Sequence, residues 1–253
     1  MNILACIKRV PATGARIVLT ADEQEIETRH LGFAVSPHEE CGVEEAIRLK
    51  EAHGGAVTVL TLGPEEAIEQ LRFALAQGAD RAVLLETDGS DWEPAATAQA
   101  ITETIRAQAE PFDVLLFGNE SADSGGYQVG IRVAYALDLP CVTGIKSLEI
   151  NNGVATAKRE AGGGWEIFEV ALPAVFTVKE GINLPRYPSL PGRLRAKKAA
   201  IERIQPEQVE GGLKKVRLKT PAEQHKGAEI LGQGVAAAPK VVEMLKKIGV
   251  LSQ

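Results

Sequence analysis

The sequence predicts an α/β protein that consists of a parallel sheet with crossover helices, an antiparallel ribbon and an extended C-terminal arm. In the first two thirds of the 253 residues, short apolar runs alternate with helical patterns, which is typical of strands joined by crossover helices. After residue 145 the pattern changes to that of an antiparallel ribbon with glycine-containing turns. Residues 191–238 show little periodicity and contain several Gly and Pro, which favours an extended arm.

The parallel strands are predicted from four apolar runs, at Ile3–Ile7, Ala56–Leu62, Ala82–Leu85 and Val114–Phe117. A helical pattern follows each of them. Pro37 and Pro64 suit the starts of the first two helices, because the first turn of a helix does not need the N–H that proline lacks. We expect the fourth helix over residues 126–137, with Asp123 or Ser124 as its N-cap.

The ribbon is predicted from three runs, at residues 146–151, 154–159 and 165–172, and residues 173–178 then return to the sheet. Asn152-Gly153 and Gly162-Gly163-Gly164 supply the turns between them. A last amphipathic helix is expected over residues 239–248. We therefore expect one domain over residues 1–190 and an arm over residues 191–253.

Composition excludes several classes of protein. Hydrophobic and charged contents of 45% and 25% are those of a soluble globular protein, and no apolar run of about 18 residues could span a membrane. The start of the chain lacks the charge order of a signal peptide, so we expect it to stay in the cytoplasm. The net charge of −6 disfavours nucleic-acid binding. Three distant cysteines form no CxxC, which argues against a disulfide framework and a cysteine-rich metal site.

A ligand site is expected at the carboxyl ends of the parallel strands, near the point where the strand order reverses. Four segments meet there, at residues 6–10, 36–39, 62–64 and 118–129. The last places small residues and backbone amides ahead of a helix, which suits a phosphate. The alternative is an ordinary glycine-rich turn. Because no HExxH, GxSxG or P-loop motif occurs, we predict neither catalytic residues nor a metal.

A second candidate site is a proline-rich loop after the last predicted sheet strand. Pro185, Pro188 and Pro191 each fix their own φ and keep the preceding residue extended, so Tyr187 and Leu190 should stand out on a stiff backbone. Such stiffness lowers the entropy lost on binding a partner. The alternative is a rigid surface turn without a function.

The loop reads Ile-Asn-x-Pro-Arg-Tyr-x-Ser-Leu over residues 182–190 and is followed by Ala-Lys-Lys. Lys8-Arg9-Val10, residues 43–51, residues 74–81 and Arg159-Glu160 also agree in order. In these segments the chain resembles the β subunit of electron transfer flavoproteins, over nearly its whole length. The resemblance implies a Rossmann-like nucleotide-binding domain of the adenine nucleotide α-hydrolase type, with a recognition loop at about residues 183–195.

The resemblance also implies partners and cofactors. The chain would pair with an α subunit, which carries the redox FAD and which the arm would wrap, and would dock flavin dehydrogenases. It would itself bind AMP as a structural ligand, or a second FAD in electron-bifurcating members. It would be a redox carrier, which accepts electrons from dehydrogenases through the FAD of the α subunit and passes them on, rather than an enzyme.

The resemblance assigns site residues by position. Partner docking falls to Tyr187, Leu190, Arg159 and Glu160. The nucleotide would contact residues of three short segments and of the glycine-rich loop, namely Cys6, Ser36, Pro37, His38, Glu39, Leu62, Gly118, Asn119, Glu120, Ser121, Ala122, Asp123, Ser124, Gly125, Gly126, Tyr127, Gln128 and Val129.

Two hypotheses follow. The glycine-rich loop reads Ser-Ala-Asp-Ser-Gly-Gly-Tyr-Gln over residues 121–128, where the family commonly has Gln-Ala-Ile-Asp. This difference leaves open whether AMP or a second FAD is bound. The other hypothesis is a stand-alone adenine-nucleotide-binding protein of the universal-stress type, a homodimer without flavin. The proline-rich loop and the long arm favour the electron transfer flavoprotein, because a stress-type domain would end near the last strand.

Overall fold

The computed structural model describes residues 1–209, 212–221 and 229–251, and the chain divides into the units Met1–Val216 and Arg217–Gln253. The strands of the first unit are β1 (Asn2–Cys6), β2 (Arg9–Pro11), β3 (Phe33–Val35), β4 (Ala56–Gly63), β5 (Arg81–Glu86), β6 (Val114–Gly118), β7 (Cys141–Asn151), β8 (Val154–Ala161), β9 (Gly164–Ala171), β10 (Ala174–Val178) and β11 (Glu202–Ile204). Its helices are α1 (Pro37–His53), α2 (Ile68–Gln77), α3 (Pro94–Arg106), α4 (Val129–Leu137) and α5 (Leu190–Lys198).

Nine strands form one sheet in the order β11-β5-β4-β1-β6-β10-β7-β8-β9, and β2 pairs with β3 separately. The strands from β11 to β7 pair in parallel, whereas β8 and β9 are antiparallel. The chain moves outward from β1 through β4 to β5 and then returns to the other side of β1 at β6. The strand order therefore reverses between β1 and β6.

Each face of the sheet buries its own core. Ile3 and Ala5 of β1 pack on the side of α1, α2 and α5, whereas Leu4 and Cys6 pack on the side of α3 and α4. Successive side chains of a strand point to opposite faces, so a continuous apolar run is required where both faces are covered. The run at the start of the chain meets this requirement.

The α/β class, the four parallel strands and the antiparallel ribbon are confirmed, with strand ends within one or two residues except at the start of the ribbon. The ribbon's first strand, β7, begins at Cys141 rather than at Lys146. Its first residues pair in parallel with β10, and its later residues pair antiparallel with β8. The two-residue period in the sequence indicates only the antiparallel pairing with β8.

Two helix starts differ from prediction. A 3-10 turn at Glu65–Ala67 follows Pro64, so α2 begins only at Ile68. The predicted N-caps Asp123 and Ser124 are wrong for α4, whose N-cap is Gln128. Tyr127 has a left-handed φ of +55°, which a helix cannot contain, so the loop continues to Gln128.

The predicted arm is in part regular structure. Residues 190–198 form α5 because the Ser189 hydroxyl accepts a hydrogen bond from the N–H of Gly192 at 3.1 Å and Pro191 suits the first turn. β11 then pairs in parallel with β5 at the sheet edge. The compact unit consequently extends to Val216, beyond the expected boundary at residue 190.

The second unit contains a 3-10 turn at Gly234–Ala237 and α6, Ala238–Lys247. The predicted amphipathic helix is thus present, and among its described residues none is buried. Its apolar residues Val241 and Val242 are exposed, as is Ile248 just beyond it. In the described part of the chain, no helix is both long and apolar enough to cross a membrane.

Candidate functional site

A cavity of about 330 Å³ lies at the carboxyl ends of the parallel strands, where the strand order reverses. Cys6 ends β1 and residues 7–9 follow it, residues 60–63 end β4, and residues 117–121 lead out of β6 into the cavity wall. The start of α4, residues 128–130, forms another part of the wall. Its volume falls at the small end of the range found for ligand pockets.

The segment between β6 and α4, residues 119–128, is held by hydrogen bonds to its surroundings and to itself. The backbone N–H of Asn119 donates to the carbonyl of Val178 at 2.9 Å, and that of Ala122 donates to the Ser36 hydroxyl at 3.1 Å. The Lys8 ammonium forms an ion pair with Asp123 at 2.6 Å. The glycine-rich loop is therefore fixed against both β1 and the start of α1.

The backbone at the start of α4 is available to a ligand. The Gln128 side chain does not cap the helix, because its Oε1 accepts hydrogen bonds from Arg132 at 2.9 and 3.1 Å. At Gly126, a Cβ atom would meet no other atom within 4 Å, so the space beside this glycine is open. Free N–H groups at a helix start, next to open space, suit the negative charge of a phosphate.

Two cavity-lining residues carry buried polar atoms without a partner in the part of the chain that the structure describes. They are the Oγ1 atom of Thr61 and the Nε atom of Arg9, whose guanidinium lies 3.4 Å from the centre of the Phe33 ring. A buried polar atom without a hydrogen bond costs about 1–3 kcal/mol. A polar ligand such as a nucleotide can supply the missing bonds, so these residues fit one.

Glu39 is buried beside the cavity near the start of α1. Burial is the main cause that raises the pKa of its carboxyl well above the usual value, and the negative charge of Asp123 adds to it. The hydrogen bond from the backbone N–H of Lys8 and the Lys8 charge act in the opposite direction without cancelling the effect. Gly118 passes so close that a Cβ there would lie 2.5 Å from the Glu39 Cγ.

The pKa values of the ionisable groups around the glycine-rich loop are shifted in opposite directions. Burial raises the pKa of Asp123, but the ion pair with Lys8 and hydrogen bonds outweigh burial, so its net pKa is lowered. Burial, with help from Glu39, raises the pKa of the Cys6 thiol well above its usual value. A hydrogen bond with Glu120 raises the pKa of Tyr127. Asp123 is therefore an ionised carboxylate, whereas Cys6 is a neutral thiol.

The structure brings most of the predicted nucleotide contacts together. Those that line the cavity are Cys6, Glu39, Leu62, Gly118, Asn119, Glu120, Ser121, Asp123, Ser124, Gly126, Tyr127, Gln128 and Val129. Those that do not are Ser36, Pro37, His38, Ala122 and Gly125. Ser36 instead holds the loop through its hydroxyl, and Pro37 forms the first turn of α1.

Several cavity residues were not assigned from the sequence. Lys8, Arg9 and Thr61 belong to or adjoin segments that the strand-end rule selected, so that rule could have found them. Phe33 begins β3 just before the selected segment 36–39, and Trp92 lies in the loop before α3; no local signal pointed to either of them. They reach the cavity wall through the tertiary fold of the chain.

The predicted recognition loop presents exposed side chains from a fixed backbone. Tyr187 is 93% exposed, and Leu190 is 72% exposed at the first turn of α5. Residues 190–195 of the predicted loop are helical, as described above. Leu184, which the sequence analysis did not select, is also exposed.

Arg159 and Glu160 belong to a different part of the molecule from that loop. They lie on β8, whereas α5 packs on α2 on one face of the sheet. Arg159 pairs with Glu166 of β9 at 2.5 Å and donates to the Thr143 hydroxyl at 3.0 Å. Glu160 pairs with Lys146 at 3.3 Å. Both side chains thus have structural partners within the ribbon.

The open parallel sheet, with its cavity where the strand order reverses, defines a Rossmann-like α/β domain. Residues 25–209 match the electron transfer flavoprotein domain family. The chain is 36% identical to the electron transfer flavoprotein subunit beta of Bacillus subtilis, over 97% of this chain and 98% of the relative. It is 35% identical to the subunit beta of Syntrophomonas wolfei, over 97% and 96% of the two chains.

A relative from Oryza sativa subsp. indica, named as the mitochondrial subunit beta, is 35% identical over 83% of this chain and 84% of its own. The chain therefore belongs to the electron transfer flavoprotein β-subunit family, as its resemblance predicted. This membership gives it a role in electron transfer and decides against the stand-alone stress-type alternative.

We expect Glu39→Gln to raise the free energy of unfolding, and to raise it more at pH 9 than at pH 5. The Glu39 pKa is higher in the folded than in the unfolded chain, so the wild type loses stability as pH rises from the usual value toward the folded one. Glutamine keeps an acceptor for the Lys8 N–H and has no charge. Urea unfolding followed by tryptophan fluorescence measures the difference.

The matched control is Glu149→Gln, which replaces an exposed glutamate on β7. Its effect should be small and nearly independent of pH. A Glu39→Gln effect that is equal at the two pH values, or that decreases as pH rises, would contradict the assignment.

Proposed function

We propose that this chain is the β subunit of a heterodimeric electron transfer flavoprotein, which binds AMP as a structural ligand and docks flavin dehydrogenases. In this role it accepts electrons through the FAD of the α subunit and passes them to a downstream acceptor. The observation that carries the proposal is the exposure of Tyr187 and Leu190 on a loop whose backbone is held in place, in a chain that matches β subunits along nearly its full length.

The nucleotide proposal rests on the cavity. The amides at the start of α4 and the open space beside Gly126 would take the phosphate, and Thr61 and Arg9 would satisfy their free polar atoms on it or on the ribose. AMP supplies no redox chemistry and would act by filling the cavity. The volume of about 330 Å³ favours AMP, because FAD has more than twice as many heavy atoms.

A second FAD in place of AMP, as in an electron-bifurcating complex, is the other candidate. The observation in its favour is that Phe33 and Trp92 place two aromatic side chains in the cavity wall, where a flavin ring could stack. Nucleotides released from the denatured complex and separated by chromatography distinguish the two.

We predict that Gly126→Val empties the nucleotide site. The valine side chain would occupy the space that a Cβ at Gly126 enters, next to the start of α4. Released AMP should fall from about one per complex to a small fraction, on the order of one tenth, while the FAD of the α subunit is retained. Gly164→Val, at the start of β9 and outside the cavity, is the control and should retain the nucleotide, since strands accept valine. A wild-type complex that neither holds nor takes up AMP, or a second FAD beside that of the α subunit, would contradict the proposal.

The docking proposal concerns Leu190. An exposed leucine on a rigid turn can fill a small apolar pocket of a partner, and its transfer from water contributes about 1.5–3 kcal/mol. We therefore predict that Leu190→Ala raises the KM of a flavin dehydrogenase for the complex by roughly ten- to a hundredfold. The melting temperature should hardly change, because Leu190 is 72% exposed.

The control is Leu213→Ala, which truncates a leucine that is 85% exposed outside the loop. It should leave the KM unchanged. Equal KM values for wild type and Leu190→Ala would show that the loop is only a rigid turn.

Pairing with a flavin-carrying α subunit is supported by the second unit. α6 carries apolar residues, and none of its described residues is buried. We predict that a chain ended after Val216, where the compact unit ends, loses the α subunit during purification while retaining the circular dichroism of a folded domain. A shortened chain that retains its partner through dilution as the full chain does would contradict this role of the arm.

The cytoplasmic location stays a prediction. One relative is named as mitochondrial, so family membership alone does not decide the compartment.

A further inference from the structure

The docking loop, defined here as residues 183–190, is tied to α1 by a network of charged and polar groups. Arg186 is its centre. Its Nε donates to Glu44 Oε2 at 2.8 Å, and its Nη1 donates to Glu51 Oε1 at 2.6 Å. Its Nη2 bonds to both carboxylates, at 3.1 Å to Glu44 and 2.9 Å to Glu51. One guanidinium thus joins two carboxylates that lie two helical turns apart on α1.

Glu44 is the buried half of this clamp. Its side chain is 3% exposed, and it also accepts bonds from the backbone N–H of Arg186 at 3.1 Å and from Arg48 at 2.8 Å. Burial raises its pKa, but the hydrogen bonds from Arg186 and Arg48 outweigh burial and lower the net pKa. Glu44 is therefore an ionised carboxylate, which the loop must cover with a positive charge.

Neighbouring contacts hold the loop on both sides of Arg186. Asn183 donates to the carbonyl of Cys41 at 3.0 Å and to Glu45 at 2.9 Å, and Gln77 of α2 donates to the carbonyl of Arg186 at 3.0 Å. Beyond the loop, Gly192 lies so close to the backbone of Ala76 that no Cβ fits between them. The backbone is fixed at these points, yet Leu184, Tyr187 and Leu190 project into solvent.

We propose that Arg186 is the positioning residue of the docking loop, which fixes Tyr187 and Leu190 in their binding orientation by bridging Glu44 and Glu51. This inference rests on the proposed docking function and names the residue that orients the docking side chains. The Arg186 side chain, which is 33% exposed, bonds to α1 and acts through the loop backbone. A loop fixed before contact loses less entropy on binding than a free one. The bridge needs a planar fork that can reach two carboxylates, which lysine cannot provide.

The experiment uses the complex of this chain with its α subunit as the substrate of a flavin dehydrogenase. The dehydrogenase is purified from the same cells by its ability to reduce the complex. Its KM and kcat are measured with the wild-type complex and with each variant complex. Arg186→Met should raise the KM about tenfold and leave kcat within twofold, because orientation and not electron transfer is affected. Arg186→Lys should raise the KM by nearly as much as Arg186→Met does. Glu51→Gln removes only the more exposed carboxylate and should raise the KM by a smaller factor, about threefold.

The matched control is Arg203→Met. Arg203 also bridges two glutamates, Glu65 at 2.9 Å and Glu86 at 3.5 Å, but it lies on β11, away from the loop. Its loss should not change the KM. Hydrogen exchange in the free complex gives a readout independent of any dehydrogenase: the backbone N–H of residue 186, which donates to Glu44, should exchange faster in Arg186→Met than in wild type, and the backbone N–H groups of β1 and β6 should not.

A double variant tests whether Arg186 acts through Leu190. In the Leu190→Ala background, Arg186→Met should add clearly less than the tenfold change in KM that it causes alone, because one of the two side chains that it positions is gone. Additive effects, or a tenfold loss of kcat, would overturn the inference. So would an Arg186→Met that leaves the KM unchanged while Leu190→Ala raises it, and the docking proposal would then survive alone. If Leu190→Ala itself has no effect on the KM, both are overturned.

Discussion

The reversal of strand order beside β1 is the constraint on which the rest of the structure depends. Right-handed crossovers place α1 and α2 on one face of the sheet while the chain moves outward, and α3 and α4 on the other face once it returns at β6. The connections that leave β1 and β6 must then diverge. A cleft therefore opens between them, and the cavity occupies this cleft.

Contacts of Glu39 and Gly118 fix the walls of the cleft. The buried carboxyl of Glu39 accepts the backbone N–H of Lys8, and this contact joins the end of β1 to the start of α1. Gly118 has to be a glycine because the Glu39 side chain crosses directly above it. Lys8 then pairs with Asp123, so β1, α1 and the loop before α4 are connected by a short polar chain. The wall is thus fixed before any ligand enters.

The sequence was sufficient for the parts of the fold that depend on local patterns. Apolar runs such as Leu4–Cys6, buried on both faces, located the parallel strands, and the strand-end rule selected most of the cavity. It was insufficient where a single residue overrides a pattern. The left-handed Tyr127 delays α4, and the Ser189 cap starts a helix in a stretch without apolar periodicity. Phe33 and Trp92 reach the cavity through tertiary folding alone, which no window of sequence contains.

The helix that holds the docking loop, α1, lies far before the loop in the chain. Arg186 of the loop bonds to Glu44 of α1, which is 142 residues away. The loop is consequently not a module that can be moved by itself. An exchange of residues 183–190 between two β subunits, intended to redirect one of them to another dehydrogenase, would bring in a new surface without the helix that holds it. A chimera that keeps its shape has to take the matching turns of α1 together with the loop.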